Sequence, residues 1–290
     1  RADIALYRAK DAGRNAIQLF RTTMQQAASA RLQLESELRL ALQRNEFELH
    51  LQPQVDARSA RVIGAEVLLR WHHPEDGVRS PAQFIDVLEE SGLIVDVDNW
   101  VIKDACRIAA SLLTGGLVHP DSFSLCVNIS PRQFRQSEFV ERILEALKAA
   151  ELPHRMIKLE ITEGIVIQNL EDTIAKMRRL CRQGVSFAMD DFGTGYSSLT
   201  YLKRLPVDVL KIDQSFVRDA LDDPNDAEII RAIVAMARSL GLEVIAEGVE
   251  KQAQLDLLQA QGCHLYQGYL FSHPLPLSDF GKLLKVHSSS

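Results

Sequence analysis

From Phe47 onward, short apolar stretches alternate with longer amphipathic ones, and this alternation constrains the fold more than any other feature of the sequence. The strand candidates are residues 47–52, 62–71, 123–128, 157–162, 186–190, 209–212, 243–246 and 264–267. Helical candidates fall at residues 81–90, 99–113, 138–150, 170–183, 227–240 and 251–261. Strands that alternate with helices make a mostly parallel sheet covered by those helices. Eight strands in a chain of 290 residues suit a TIM-like (β/α)8 barrel. Only residues 56–60 separate the first two strands, which fits a hairpin better than a helical crossover. The spacing therefore predicts a barrel with one antiparallel strand. An open doubly wound sheet is the alternative, but no glycine-rich dinucleotide loop supports it.

In a barrel every second strand residue points inward, so each strand's alternation sorts its residues. Gly64, Glu66, Leu68 and Arg70 share one face of the second strand. Asn128 lies with Ser124 and Cys126, Glu160 with Lys158 and Thr162, and Asp190 with Ser186 and Ala188. Lys211 stands opposite Leu210 and Ile212, Glu247 follows Ile245, and Gln267 follows Leu265. A polar residue near one strand's end reads as solvent-facing. Repeated around a closed barrel, whose active sites lie at the C-terminal rim, the pattern gathers Glu66, Asn128, Glu160, Asp190, Lys211, Glu247 and Gln267 at one mouth. Asp190 and its neighbour Asp191 reach one site only if the strand ends there, and Gly193 and Gly195 permit the turn.

Carboxylates so gathered repel unless they hold protons or bind cations. Oxygen ligands without Cys or His select hard divalent ions, Mg²⁺ or Mn²⁺, over zinc. A carboxylate shared between two ions makes a two-metal site suited to phosphodiester hydrolysis. Lys211 and Arg70 are placed to bind phosphate oxygens, with Lys211 otherwise a counter-ion for the acids. Glu163 and Glu250 lie three residues beyond Glu160 and Glu247 and are placed past their strand ends. Glu163 is expected to brace the Asp190-Asp191 loop through backbone hydrogen bonds, and Glu250 to meet a substrate base. His72 and His73 read as surface or capping residues.

Composition sets the remaining bounds. Hydrophobic residues make up 46% and charged residues 25%, an ordinary globular balance. A net charge of -6 argues against a broad surface for extended nucleic acid. Cys106, Cys126, Cys181 and Cys263 are widely spaced and read as buried thiols in a reducing compartment. No apolar run reaches bilayer length, so a cytoplasmic location is expected, alone or as the cytoplasmic part of a membrane-bound protein.

Residues 1–21 form a helix-and-strand pattern with no nearby partner, expected to be the remnant of an upstream domain. The run Ala2-Asp-Ile-Ala-Leu-Tyr-Arg-Ala-Lys-Asp-Ala-Gly-Arg-Asn15 resembles the C-terminal end of a GGDEF (diguanylate cyclase-type) domain. Residues 22–45 have the composition of a linker or first helix, and residues 46–287 are assigned to the barrel.

The motifs Gln52-Pro-Gln, Glu66-Val-Leu-Leu-Arg-Trp71, Asn128-Ile-Ser130, Glu160-Ile-Thr-Glu163, Asp190-Asp-Phe-Gly-Thr-Gly195, Lys211-Ile-Asp213, Ala246-Glu-Gly-Val-Glu250 and Gln267-Gly-Tyr269 together resemble the EAL family of bacterial cyclic di-GMP phosphodiesterases. The resemblance implies hydrolysis to linear pGpG with two Mg²⁺ or Mn²⁺ ions. By it, Glu66, Asn128, Glu160, Asp190 and Asp191 are metal ligands, Glu247 is a ligand or general base, and Lys211 positions the attacking water. Gln52, Leu68, Arg70, Glu250 and Gln267 would contact the dinucleotide. Family members often dimerise, with the loop after the paired aspartates coupling dimer state to activity, so a homodimer is expected. Val67 replaces the alanine of the name motif, Leu51 stands where tyrosine is common, and His273 where arginine is frequent; none removes a metal ligand. Two other readings are a catalytically idle cyclic di-GMP receptor, which the complete ligand set disfavours, and a barrel enzyme for another phosphoester, which Arg70, Glu250 and Gln267 disfavour. The loop glycines are expected to let it move between metal-binding and idle states, so Gly195→Ala should alter turnover or metal affinity.

Overall fold

Ten strands form one sheet in the computed structural model, which describes residues 22–193 and 199–288. They are β1 (Phe47–Asp56), β2 (Arg61–His73), β3 (Gly77–Arg79), β4 (Ser124–Asn128), β5 (Ile157–Thr162), β6 (Ser186–Phe192), β7 (Val209–Ile212), β8 (Glu243–Ala246), β9 (Leu265–Gln267) and β10 (Leu275–Pro276). The order β1-β9-β8-β7-β6-β5-β4-β2 returns to β1 through the β1–β2 pairing, so eight strands close a barrel. Closure rules out the open-sheet alternative. From β2 through β4 to β9 the pairings are parallel. β1 runs antiparallel to β9, with Gln54 opposite Gln267.

The chain divides into two compact units. In the larger, Leu49–Leu69 with Val95–Ser290, the barrel sorts its residues by face. Leu125, Val127, Leu159, Ile161, Phe187, Met189, Leu210 and Ile212 are buried and share one face across their paired strands. The helices supply matching stripes: Phe139–Ala149 buries Phe139, Val140, Ile143, Ala146 and Leu147, the spacing of one helix face. Helix Pro224–Leu240 starts with Asp223 accepting from the Asn225 N–H and a proline in its first turn, and stops at left-handed Gly241. On the other register Ala188, Val209 and Ile245 pack together with Leu265. Each sits two residues before Asp190, Lys211, Glu247 or Gln267, so this apolar layer is the floor beneath the polar one.

In the smaller unit, helix Thr22–Gln43 packs against helix Ile85–Ser91. The rings of Phe47, Trp71 and Phe84 pack within 5.7–6.3 Å of one another, and the Trp71 indole donates to Glu46 at 3.1 Å.

Several boundaries differ from expectation. The helix expected over 81–90 breaks into a 3-10 turn, Pro81–Gln83, and helix Ile85–Ser91, with Phe84 at the junction. β6 continues past Asp190 to Phe192 through a register shift against β7. Short helices Pro131–Phe134, Glu163–Gln168 and Gln214–Asp219 were too brief to carry a periodicity. Residues 1–21, with their GGDEF-like run, and Gly195 lie outside the described residues. Among the described residues no helix is long and apolar enough to cross a membrane.

Candidate active site

Lys211 is the centre of the polar layer. It is fully buried, on a four-residue strand whose other members are also buried. An ammonium survives there only with partners. Its Nζ lies 2.6 Å from Glu247 Oε1, 2.8 Å from Glu160 Oε2, 3.1 Å from Asp190 Oδ1 and 3.5 Å from Glu66 Oε2. Four strands thus direct a carboxylate at one point. Burial drives the Lys211 ammonium toward losing its proton, but Asp190, Glu160, Glu247 and Glu66 together outweigh it and hold the group well above the ordinary lysine range.

The acids outnumber the cation, and their protonation reflects this. Burial pushes the Glu160 carboxyl up to about 8 against the pull of Lys211, with Glu66 and Asp190 adding repulsion. Burial likewise raises Glu247 well above the usual carboxylate range. Glu160 Oε1 is buried with no hydrogen-bond partner, and Asp190 Oδ1 has only its ionic contact with the Lys211 ammonium.

Asp191 joins this group by a backbone device. Its φ is 53°, left-handed for a non-glycine residue, and the β6 register slips here. A bulge breaks strict alternation and re-aims a side chain. Oxygens of Asp190, Asp191 and Glu247 consequently lie within 4.8 Å of one another. The two aspartates meet through a bulge inside the strand, where a strand end was expected. Partial withdrawal from solvent raises the Asp191 carboxyl to about 6, with Asp190 and Asp213 adding negative charge. Carboxylate oxygens at this spacing, with Asp190 Oδ1 held only by its ionic contact to Lys211, fit a hard divalent cation.

Glu66 is held by amides. Asn128 Nδ2 donates to its Oε1 at 2.7 Å and Gln267 Nε2 to its Oε2 at 2.5 Å. Gln267 Nε2 also reaches Gln52 Oε1, and its own Oε1 accepts from Gln54 Nε2, both at 3.1 Å. Cys126 Sγ donates to Gln54 Oε1 at 3.4 Å. Gln54 escaped the sequence reading although it lies in the Gln52-Pro-Gln motif on the same face as Gln52. Its inward direction follows from the antiparallel pairing of β1 with β9.

Glu163 is buried and opens helix Glu163–Gln168 directly after β5. Its Oε1 accepts from the Gly193 N–H at 3.3 Å, and its Oε2 from the Tyr201 hydroxyl at 3.2 Å. One carboxylate therefore ties two points on either side, in sequence, of residues 194–198. Tyr201 was not singled out from sequence. Tyr201→Phe is expected to cost about 1.5–3 kcal/mol, since the bond goes to a carboxylate acceptor. An unchanged denaturation midpoint would mean that the bond contributes nothing.

Above the polar layer a cavity of about 350 Å³ is lined by Gln52, Glu66, Gln214, Glu247, Glu250 and Gln267, with Gly248, Gly268 and Tyr269. Leu68 is half-buried on β2. Arg70 belongs to the smaller unit. An EAL domain model matches residues 35–274. The chain belongs to the EAL domain family. This EAL domain is 43% identical over 275 residues to the bifunctional diguanylate cyclase/cyclic di-GMP phosphodiesterase MucR of Pseudomonas aeruginosa, covering 95% of this chain and 40% of MucR. It is 42% identical over 286 residues to the cyclic di-GMP phosphodiesterase NbdA of the same organism, covering 99% of this chain and 36% of NbdA. It thus spans roughly two fifths of the length of either relative. Among solved structures, the MucR phosphodiesterase in complex with c-di-GMP superposes with a TM-score of 0.82 at 42% identity, covering 86% of this chain and 99% of that one. The EAL enzyme Bd1971, bound to cAMP and cyclic-di-GMP, gives 0.85 at 36% identity over 89% of this chain and 70% of its own.

Proposed function

We propose that this EAL domain is a metal-dependent phosphodiesterase that hydrolyses cyclic di-GMP to linear pGpG, as part of a larger bacterial signalling protein. The observation that carries the reading is the convergence of Glu66, Glu160, Asp190 and Glu247 on Lys211, with buried carboxylate oxygens left for a cation. The names of MucR and NbdA supply the substrate class. Two divalent ions, Mg²⁺ or Mn²⁺, would be held by Glu66, Asn128, Glu160, Asp190, Asp191 and Glu247. Bound there, such ions lower the pKa of a water and neutralise phosphoryl oxygens.

The chain's own groups do the rest. Lys211, donating to Glu160 and facing Glu247, holds the attacking water in line with the bond to be broken. Glu247 accepts a proton from that water as its oxygen bonds to phosphorus and the P–O3′ bond breaks, and the leaving 3′-oxygen takes a proton from solvent water. Gln52, Leu68, Arg70, Glu250 and Gln267 orient the dinucleotide, and the Asn128–Glu66–Gln267 bonds keep Glu66 fixed. Glu163 steadies the aspartate-bearing loop, and the domain is expected to act as a homodimer. Calorimetric binding of cyclic di-GMP in EDTA, set beside chromatography after adding Mn²⁺, tests the reading. Binding followed by conversion to pGpG is expected; binding with no conversion would favour an idle receptor.

Metal affinity should follow pH. The folded Glu160 carboxyl titrates near 8 against an ordinary 4.5, so between those values the metal-free fold holds a proton that the unfolded chain has lost. Stability of the metal-free protein should therefore fall as pH rises through this window. A cation displaces that proton, so Mn²⁺ affinity should rise over the same range, by up to about tenfold per pH unit for each proton released. Titration calorimetry between pH 6 and 8 measures it, and a flat affinity would remove Glu160 from the metal-binding set.

A further inference from the structure

Beside the acids, the cavity holds a polar residue with no role so far. Gln214 follows β7 and opens helix Gln214–Asp219, capped by Asp213, whose side chain accepts from the Ser215 N–H. Its place is set by a close backbone approach. Gly248 has φ 67°, and a Cβ there would come within 2.6 Å of Gln214 Cβ and 3.3 Å of its Cα. No other residue type fits this contact, so the β8 loop is pressed onto Gln214 and fixes it at the cavity wall. The same imaginary Cβ lies 3.6 Å from Gln214 Oε1; no hydrogen bond among the described residues fixes the amide's orientation, so it can turn its NH₂ to a ligand.

The Gln267 amide in the same cavity is already engaged. Gln267 binds Gln52, Gln54 and Glu66, and these bonds serve the site's own geometry. The Gln214 side chain is exposed and makes no hydrogen bond among the described residues. Across the cavity stand the exposed Glu250 carboxylate and Tyr269, whose ring is half exposed and stacked on His273 at 3.9 Å. An amide donor, a carboxylate acceptor and an aromatic face form a set that recognises a purine: N–H groups of guanine suit a carboxylate, and its O6 and N7 accept from an amide.

We propose that Gln214 is a specificity-determining residue that donates its amide NH₂ to the acceptor edge of a guanine of the bound cyclic dinucleotide. This rests on the phosphodiesterase reading of the same site. It places base recognition on the loop that follows the Lys211 strand, so that a single short segment carries both the central cation and a base contact.

The test uses calorimetric Kd values in EDTA for cyclic di-GMP and cyclic di-AMP, and steady-state kinetics in Mn²⁺. Gln214→Leu is expected to raise the Kd and KM for cyclic di-GMP about tenfold, with a much smaller change in kcat. Gln214→Glu replaces the donor with an acceptor, which suits the N6 amino group of adenine, so the preference for cyclic di-GMP over cyclic di-AMP should fall about tenfold. Equal weakening of both dinucleotides by Gln214→Glu would reflect added negative charge alone and overturn the base contact, as would an unchanged Kd in Gln214→Leu. If the unaltered chain binds cyclic di-GMP but does not cleave it, only the hydrolytic reading fails, and the Kd comparison still decides Gln214.

Discussion

Asp190→Asn is expected to reduce turnover of cyclic di-GMP by about a hundredfold to a thousandfold, the scale on which removing one preorganised group from a site of electrostatic catalysis acts. Asp190 stands where three relations meet. Its Oδ1 faces Lys211 at 3.1 Å, it shares a 4.8 Å oxygen cluster with Asp191 and Glu247, and that buried Oδ1 makes no hydrogen bond beyond the ion pair. The amide keeps the volume and removes the charge, so folding should persist while cation binding weakens. Glu66→Ala should have a comparable effect, since its two oxygens are held in place by Asn128 and Gln267. Turnover measured by chromatography, with Mn²⁺ binding measured by calorimetry, checks both. Near-normal turnover in either variant would take that residue out of the reaction.

The second large effect concerns the cation. Lys211→Met leaves a side chain of similar length and four carboxylates with no internal counter-charge. Removing one partner of a buried ionic cluster costs about 3–5 kcal/mol. The loss should depend on pH in a definite direction. At pH 5 the buried Glu160 and Glu247 carboxyls are protonated in the folded chain, and the repulsion is small. At pH 8 more of them must ionise, so the variant should lose more stability there than at pH 5. Mn²⁺ should recover part of the stability by replacing the missing charge, without recovering turnover, because the group proposed to hold the water is gone. Urea denaturation at the two pH values, with and without Mn²⁺, measures this. A loss of equal size at both would mean that Lys211 contributes packing rather than charge.

The two residues also mark what was legible in the sequence. Lys211 sits on a strand whose limits, Val209–Ile212, match the expected ones. The same holds for Ile157–Thr162 and Glu243–Ala246, each a short run that carries or leads into an inward acid, Glu160 or Glu247. Face alternation alone placed Glu66, Glu160, Asp190, Lys211 and Glu247 on one register, and the closed barrel gathers them. Asp191 was not legible in the same way. Its left-handed φ of 53° belongs to a conformation that aspartate tolerates but does not dictate, and only the pairing of β6 with β7 selects it. Gln54, Tyr201 and Gln214 were missed for a related reason. Each acts through a partner far away in sequence or through a tight loop contact, and neither relation leaves a periodic trace.

The most direct test of the central claim is hydrolysis of cyclic di-GMP in ¹⁸O-labelled water with Mn²⁺, read by mass spectrometry. The site described here should yield pGpG carrying one ¹⁸O on its terminal phosphate, and no product when EDTA is present. Intact dinucleotide in the presence of Mn²⁺, or a cleaved product without the label, would contradict it.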